Sequence, residues 1–221
     1  LHTPQEVADA CEVIRRLTRA TGKVRTGSGA GRQDVNVSIT GGTRIEIKGV
    51  NRIGLIPKLV HYEAFRQKQL LNIRDILNKR GYTSDSWQPK TTTVTQLLNS
   101  CEYSPVYKAK RRGEEIKAIL LPGFSELLNY QIQPLIPFLR ELRDRVRVIA
   151  CLDRKPNLVC SEHLDDGPSL KEWQRIRKKL KNRSNDPIIL VWGDAVDLDT
   201  ALSEIEIRCR EAMVGIPSET R

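Results

Sequence analysis

Two short runs of strict apolar and polar alternation, separated by a glycine pair, constrain this chain more than any other feature. Residues 32–39 read Arg32-Gln33-Asp34-Val35-Asn36-Val37-Ser38-Ile39; after Thr40-Gly41-Gly42, residues 43–52 read Thr43-Arg44-Ile45-Glu46-Ile47-Lys48-Gly49-Val50-Asn51-Arg52. Side chains alternate faces along a strand, so Val35, Val37 and Ile39 share one face while Asp34, Asn36 and Ser38 share the other. Ile45 and Ile47 stand in the same way against Arg44, Glu46 and Lys48. The pattern predicts an antiparallel hairpin with one apolar and one charged face.

Parity selects the register. A two-residue Gly41-Gly42 loop would set Val37 opposite Glu46 and Asn36 opposite Ile47, mixing apolar and polar partners on one face. A three-residue loop, Thr40-Gly41-Gly42, with a glycine at the φ > 0 position, aligns Ser38 with Arg44, Asn36 with Glu46 and Asp34 with Lys48. The expected product is a shelf of carboxylate, amide and ammonium groups. Such a shelf suits phosphate and Mg²⁺ chemistry, because magnesium takes a few carboxylate oxygens plus substrate phosphate and a lysine neutralises a transferred phosphoryl group. A solvated strand face carries the same residue types, with Asp34 and Lys48 as a cross-strand ion pair contributing about 0.2–1 kcal/mol. Spacing alone leaves both readings open.

With 221 residues the chain can bury a real core and form one large or two modest domains. It has no run of eighteen apolar residues and no signal-peptide pattern, so the expectation is a soluble, cytoplasmic protein with no membrane span. It begins at Leu1 and its one methionine is Met213, which reads as a piece of a longer protein. The five cysteines, Cys11, Cys101, Cys151, Cys160 and Cys209, are odd in number and scattered. Reduced thiols are expected, and His163 three positions after Cys160 lacks the further ligands that a zinc site needs.

The net charge of +10 is uneven: residues 1–124 carry 21 Lys and Arg against 11 Asp and Glu, whereas residues 125–221 carry 16 of each. Halves so different usually meet different partners, and a polyanion such as RNA suits the basic one. No aromatic run resembles a base-stacking platform. The densest basic cluster, Lys108-Ala109-Lys110-Arg111-Arg112, could grip a phosphate backbone but reads slightly better as a solvated helix end.

Thr3-Pro4-Gln5-Glu6 is a capping box that opens a helix ending at Gly22. The stretch Gly27-Ser28-Gly29-Ala30-Gly31 precedes a strand instead of a helix, so it reads as flexible backbone beside the shelf. A long helix is expected from Leu55 to Arg80, a polar loop from Tyr82 to Lys90, a short helix from Thr93 to Ser100 and another from Ser104 to Arg112. Ile116–Leu121 reads as a strand ending at a composition break, Pro122-Gly123, the expected domain boundary. Beyond it come a strand at 146–152, a helix at 169–181 with Trp173 in its core face, a buried strand at 188–192 and a helix at 197–214 closed by Gly215. The fold class expected is α+β, a fragment with an antiparallel hairpin and long helices followed by a small α/β sandwich.

Gly31 to Ser38 together with Thr43 to Val50 resemble the signature of the tRNA-dependent amidotransferase subunits of the B/E type, and the long helix follows in the same order. From Pro122-Gly123-Phe124 onward the chain is similar to the insertion domain shared by the archaeal E-type subunits, which act on glutamyl-tRNA(Gln), and bacterial-type aspartyl-tRNA synthetases. B-type subunits lack that insertion, so the combination points to the E type. The resemblance implies residues 1–124 as part of the kinase and transamidase catalytic domain and residues 125–221 as the insertion domain.

It further implies that ATP phosphorylates the γ-carboxylate of glutamate misacylated on tRNA(Gln), and that ammonia from an asparaginase-like partner subunit of the D type displaces the phosphate. The cofactors implied are ATP and Mg²⁺, and the assembly implied is a hetero-oligomer. By the same resemblance Asp34 and Glu46 are the acids facing metal or ammonia, Lys48 and Arg32 neutralise phosphate, Asn36 orients substrate, and Ser38 and Arg44 join the ATP and substrate contacts. An upstream strand with a glutamate and a histidine, and later helical and tail domains, are expected of the family but absent here, so the piece alone is expected to be inactive. Two other readings are a tRNA- or subunit-binding module without chemistry and, more weakly, a divergent aspartyl-tRNA synthetase fragment, for which only the insertion matches.

Overall fold

Thr3 starts the first element of the computed structural model, which describes residues 1–27, 29–163, 165–182 and 184–217. The Thr3 hydroxyl accepts from the Glu6 backbone N–H at 3.2 Å, while the Glu6 carboxylate accepts from the N–H groups of His2 at 2.7 Å and Thr3 at 3.3 Å. These bonds, His2 first, hold the Glu6 carboxyl below its ordinary value and fix the start of α1, Pro4–Ala20. Ser28 of the glycine-rich stretch lies outside the described residues.

The chain divides into two compact units, one of Leu1–Asn72 with the C-terminal residues from Gly215, the other of Ile73–Val214. In the first, α1 precedes β1, Gln33–Val37, and β2, Ile45–Val50, which pair antiparallel. After a single 3₁₀ turn, Ile53–Leu55, comes α2, Ile56–Lys79, in close agreement with the expected long helix. Ala8, Val35, Val37, Val50 and Ile56 form this unit's small core, with Val7, Ile47, Leu59 and Ala64 against it.

The second unit is built on a four-stranded antiparallel sheet, made by β3 at Lys90–Thr93, β4 at Glu115–Leu120, β7 at Leu158–Cys160 and β8 at Ile188–Gly193 in the order β3-β4-β8-β7. A short hairpin of β5, Gln131–Gln133, and β6, Ile136–Pro137, stands apart from it. The helices are α3, Ser104–Arg111; α4, Phe138–Ile149; α5, Leu170–Lys179, started by a Ser169–Glu172 capping box; and α6, Ala195–Val214.

One sheet face, with Ile116, Ala118 and Leu120 of β4 and Ile188, Leu190 and Trp192 of β8, packs against Val106 and Ala109 of α3 and Trp173 and Ile176 of α5. On the other face Ile119, Ile189 and Val191 are also buried, beside α6. Burial on both sides is why β8 reads as an unbroken apolar run.

Residues 146–152 are not a strand. Phe138, Leu139, Leu142 and Val146 recur at helical spacing, lie buried on α4, and leave Val148 68% exposed. The expected short helix at 93–100 contracts to a 3₁₀ turn, Thr95–Leu98, because the threonines before it extend along β4 as edge strand β3. Across Pro122-Gly123, β4 pairs with β8 over its whole length, from Glu115↔Gly193 to Leu120↔Ile188. Compactness therefore divides the chain near residue 72, a partition of a different kind from one by ancestry.

Between α4 and α6, Glu141 accepts two bonds from the Arg208 guanidinium, at 2.7 and 2.9 Å, and that guanidinium also lies 5.1 Å over the Phe138 ring. All five cysteines are free. Among the described residues no helix is long and apolar enough to cross a membrane.

Candidate active site

The hairpin delivers the two-faced surface that its alternation implies. Val35, Val37 and Ile45 are buried, Asp34, Asn36 and Lys48 are exposed, and Glu46 is half-buried. Asn36 stands directly opposite Glu46, between the Val35↔Ile47 and Val37↔Ile45 pairs. Lys48 Nζ lies 3.7 Å from Glu46 Oε2, two residues along the same strand face. The structure thus brings Asn36, Glu46 and Lys48 together on the open side.

Asp34 does not face Lys48 as expected. Between Gln33↔Val50 and Val35↔Ile47 the first strand has one residue, Asp34, and the second has two, Lys48 and Gly49, so β2 bulges. Gly49 takes φ 71°, a left-handed conformation that glycine adopts without a Cβ clash. Its N–H, freed from the ladder by the bulge, donates to Asp34 Oδ1 at 2.9 Å. Asp34 is thereby oriented by backbone, and Lys48 turns to Glu46.

The expected Ser38–Arg44 pair and three-residue loop are also replaced. The ladder ends at Val37↔Ile45, leaving Ser38 and Arg44 exposed outside it, and a turn closes through the Gly42 N–H to the Ile39 carbonyl at 2.9 Å. The cause is Gln67 of α2. Its side-chain nitrogen donates to the Val37 carbonyl at 3.0 Å and its oxygen accepts from the Ile39 N–H at 3.2 Å, so one amide satisfies the backbone that a longer ladder would have paired. Gly42 allows the close approach, since a Cβ there would meet Gln67 Oε1 and Ile216 Cδ1 at 2.9 Å. Arg32 precedes β1 and is exposed in a cleft with α1 and the segment after β2.

Gln67 belongs to a buried polar group that sequence reasoning missed. Glu63 Oε1 accepts from Gln67 Nε2 and from an Arg66 guanidinium nitrogen, each at 3.1 Å, and all three residues are at most 3% exposed. The signal was present: Glu63, Arg66, Gln67 and Leu70 follow the i, i+3, i+4, i+7 spacing of a core-facing stripe, and polar residues on such a stripe must find partners.

What the face can do chemically follows from its donors. Two hard carboxylates, an amide and an ammonium match the oxygen preference of Mg²⁺ and the charge of phosphate. One Asp34 oxygen already holds Gly49, and its second oxygen is free of hydrogen bonds among the described residues. No group of three or more His, Cys, Asp and Glu suited to a metal ion occurs among the described residues, so a cation here would draw its remaining ligands from substrate or water.

The GatB/GatE catalytic-domain model matches residues 1–116. Proteins named as the E-type subunit of glutamyl-tRNA(Gln) amidotransferase are similar over the chain: that of Pyrococcus furiosus is 36% identical over 222 residues, covering 100% of this chain and 35% of its own length. Those of Methanocaldococcus jannaschii and Sulfolobus acidocaldarius are 36% and 37% identical, over 100% and 99% of this chain and 34% and 35% of their own lengths. The chain therefore spans about a third of these curated relatives.

Proposed function

The chain belongs to the GatB/GatE catalytic-domain family, and from that premise we propose that it is part of a subunit that uses ATP to activate the γ-carboxylate of Glu-tRNA(Gln) and amidates it with ammonia to give Gln-tRNA(Gln). The observation that carries this reading is the open hairpin face, with Asn36 opposite Glu46 and Lys48 at 3.7 Å from it. Forming an acyl phosphate requires a carboxylate held in line and cationic compensation of the phosphoryl oxygens. Lys48 supplies a mobile cation and Asn36 an amide that can hold a carboxylate or carbonyl. Glu46, half-buried beside Lys48, can keep the ammonium oriented or accept a proton from incoming ammonia.

Asp34 and Glu46 would hold Mg²⁺, which when bound neutralises phosphate charge. Asp34, pre-oriented by Gly49, needs no rearrangement to offer its second oxygen. The ammonia source in this proposal is an asparaginase-like partner subunit. Residues 1–124 serve as part of the catalytic domain and residues 125–221 as the insertion domain, in a cytoplasmic hetero-oligomer acting on tRNA.

The test is ATP-dependent conversion of Glu-tRNA(Gln) by the full-length subunit with its partner. Glu46→Gln and Lys48→Met should each lower the rate about 100-fold or more while leaving the circular dichroism spectrum unchanged. Unaltered amidation by a folded variant removes that residue from the site. A second reading, a tRNA- or subunit-binding module without chemistry, draws on the excess of 21 basic over 11 acidic residues in positions 1–124. Salt-dependent tRNA binding with no ATP or Mg²⁺ binding would favour it.

A further inference from the structure

Charge in the second unit is sorted by sheet face. On one face lie α3, with three basic residues and no acid, and α5, with five basic residues and a single acid, Glu172. Beside the other face lies α6, with five acids and two arginines. The equal numbers of acids and bases over residues 125–221 hide this, because a count along the chain adds α5 to α6. It also parts α5 from α3, which shares its core through Val106, Ala109, Trp173 and Ile176.

Glu172 does not neutralise its neighbours. It is 6% exposed, and its carboxylate accepts from the Ser169 N–H at 2.7 Å and the Ser169 hydroxyl at 2.8 Å. Three of the cations are committed to the fold: Lys110 donates to Asn99 Oδ1 at 2.7 Å, Arg177 to the Asp186 carbonyl at 2.8 Å and Lys179 to the Thr93 carbonyl at 2.5 Å. The other five, Lys108, Arg111, Lys171, Arg175 and Lys178, are exposed and make no ion pair or side-chain hydrogen bond among the described residues. Lys171, Arg175 and Lys178 stand at i, i+4 and i+7, a stripe about 10 Å long, and Lys108 and Arg111 are neighbours on α3. Like charges at this spacing oppose the helix that carries them, and a bound polyanion relieves the repulsion.

The make-up of the face selects among polyanions. An anionic membrane surface calls for a row of exposed apolar residues beside the cations, and on these helices only Tyr107 and Leu170 expose large apolar side chains. Single-stranded RNA calls for successive aromatic platforms, and Tyr107 is the one exposed aromatic residue on α3 and α5 among the described residues. Lysine ammonium groups act as point charges that suit the repeated phosphates of a duplex, where no base has to be read.

We infer that the α3–α5 face docks the sugar-phosphate backbone of a base-paired arm of tRNA, held by Lys108, Arg111, Lys171, Arg175 and Lys178. The inference rests on the proposed function only for the choice of tRNA as the RNA. It gives a docking role to a part of the chain that holds none of the shelf residues. Contacts of this kind position the substrate and carry no sequence information.

The experiment measures binding of uncharged tRNA(Gln) to the full-length subunit with its partner by filter binding across a salt series. Arg175→Gln with Lys178→Gln should weaken binding roughly tenfold and lower the slope of log affinity against log salt by about 2, about one for each lost phosphate contact, with KM for ATP changed less than about twofold. Glutamine preserves helix propensity, and a circular dichroism spectrum checks that the variants fold. A control pair, Arg140→Gln with Arg147→Gln on α4, removes the same charge from a helix packed against α6 and should change tRNA affinity less than about twofold. Unchanged affinity and slope in the α5 pair overturn the inference. So does an equal loss in the control pair, which would reduce the effect to net charge. Release of the partner subunit by the α5 pair, seen by gel filtration, overturns it as well and assigns the face to an acidic protein surface. A wild-type complex that binds tRNA through this face yet does not amidate it sinks the catalytic proposal and leaves the docking face standing. A wild-type complex that binds no tRNA overturns both.

Discussion

The hairpin of the first unit and the four-stranded sheet of the second are both antiparallel, yet they satisfy their backbones in opposite ways. β4 and β8 run as an uninterrupted ladder from Glu115↔Gly193 to Leu120↔Ile188, and every residue of β8 is buried. The β1–β2 ladder is broken by a bulge, and side chains take over where it stops, Asp34 on the Gly49 N–H and Gln67 on Val37 and Ile39. Regular pairing serves a sheet whose two faces only need covering. Irregular pairing, fixed from the side, lets a strand aim charged groups at solvent without losing its own backbone bonds.

If that contrast is right, substitutions in the two regions should differ in size and in what they disturb. The largest effect is expected within the second unit, where Glu141→Ala leaves the buried Arg208 guanidinium between α4 and α6 with Glu211, 3.7 Å away, as its remaining counter-charge. Loss of about 3–5 kcal/mol is predicted, read by urea denaturation through tryptophan fluorescence. That probe suits the region because Trp87, Trp173 and Trp192 all lie between Ile73 and Val214. Joint replacement of Glu141 and Arg208 by methionine should restore most of the loss.

In the hairpin, Gln67→Ala leaves the Val37 carbonyl and the Ile39 N–H unpartnered and should destabilise the first unit by about 1–3 kcal/mol. Amide hydrogen exchange at Ile39 checks this directly; protection equal to wild type would mean the ladder had extended to replace the side chain. Gly49→Ala meets open space, so its cost is conformational only, about 1 kcal/mol, with the Asp34 bond weakened. On the open hairpin face, Glu46→Gln should change stability by less than about 0.5 kcal/mol while lowering the proposed amidation rate about 100-fold, the reverse of the Glu141 result.

The smallest effect needs no substitution. Burial pushes the Cys160 thiol up to about 12 and the Cys101 thiol to about 11, and raises that of Cys209 as well, whereas Cys151 is exposed. Stoichiometric thiol reagent at pH 8 should label Cys151 first and reach the buried Cys101, Cys160 and Cys209 only on unfolding. Equal labelling of Cys160 would contradict a closed β7–β8 face.

Alternation in the hairpin, the capping boxes at Thr3 and Ser169, and the apolar run of β8 were legible because each rests on contacts within a few residues. The Asn36–Glu46 opposition was legible too, since parity forced it. The bulge at Gly49 was not, because a glycine in a strand pattern does not say whether an extra residue is tolerated until its freed N–H finds Asp34. The strand expected at 146–152 failed because the helical stripe of Phe138, Leu139, Leu142 and Val146 extends into it. The arginines of the cleft come from three separate stretches, Arg19 on α1, Arg25 and Arg32 before β1, and Arg52 after β2, so nothing in their spacing announced them.

By itself the sequence determined which residues face out of the hairpin, where α1, α2, α3 and α5 begin, and that one strand of the second unit is covered on both sides, all consequences of side-chain periodicity and capping chemistry acting locally. Tertiary structure alone decided where the hairpin ladder stops, that Asp34 binds backbone instead of Lys48, and that four arginines without an ion pair among the described residues share one cleft. Those outcomes depend on groups many residues apart, such as Gln67 reaching Val37, and a backbone hydrogen bond is awarded to whichever partner the folded chain brings within reach.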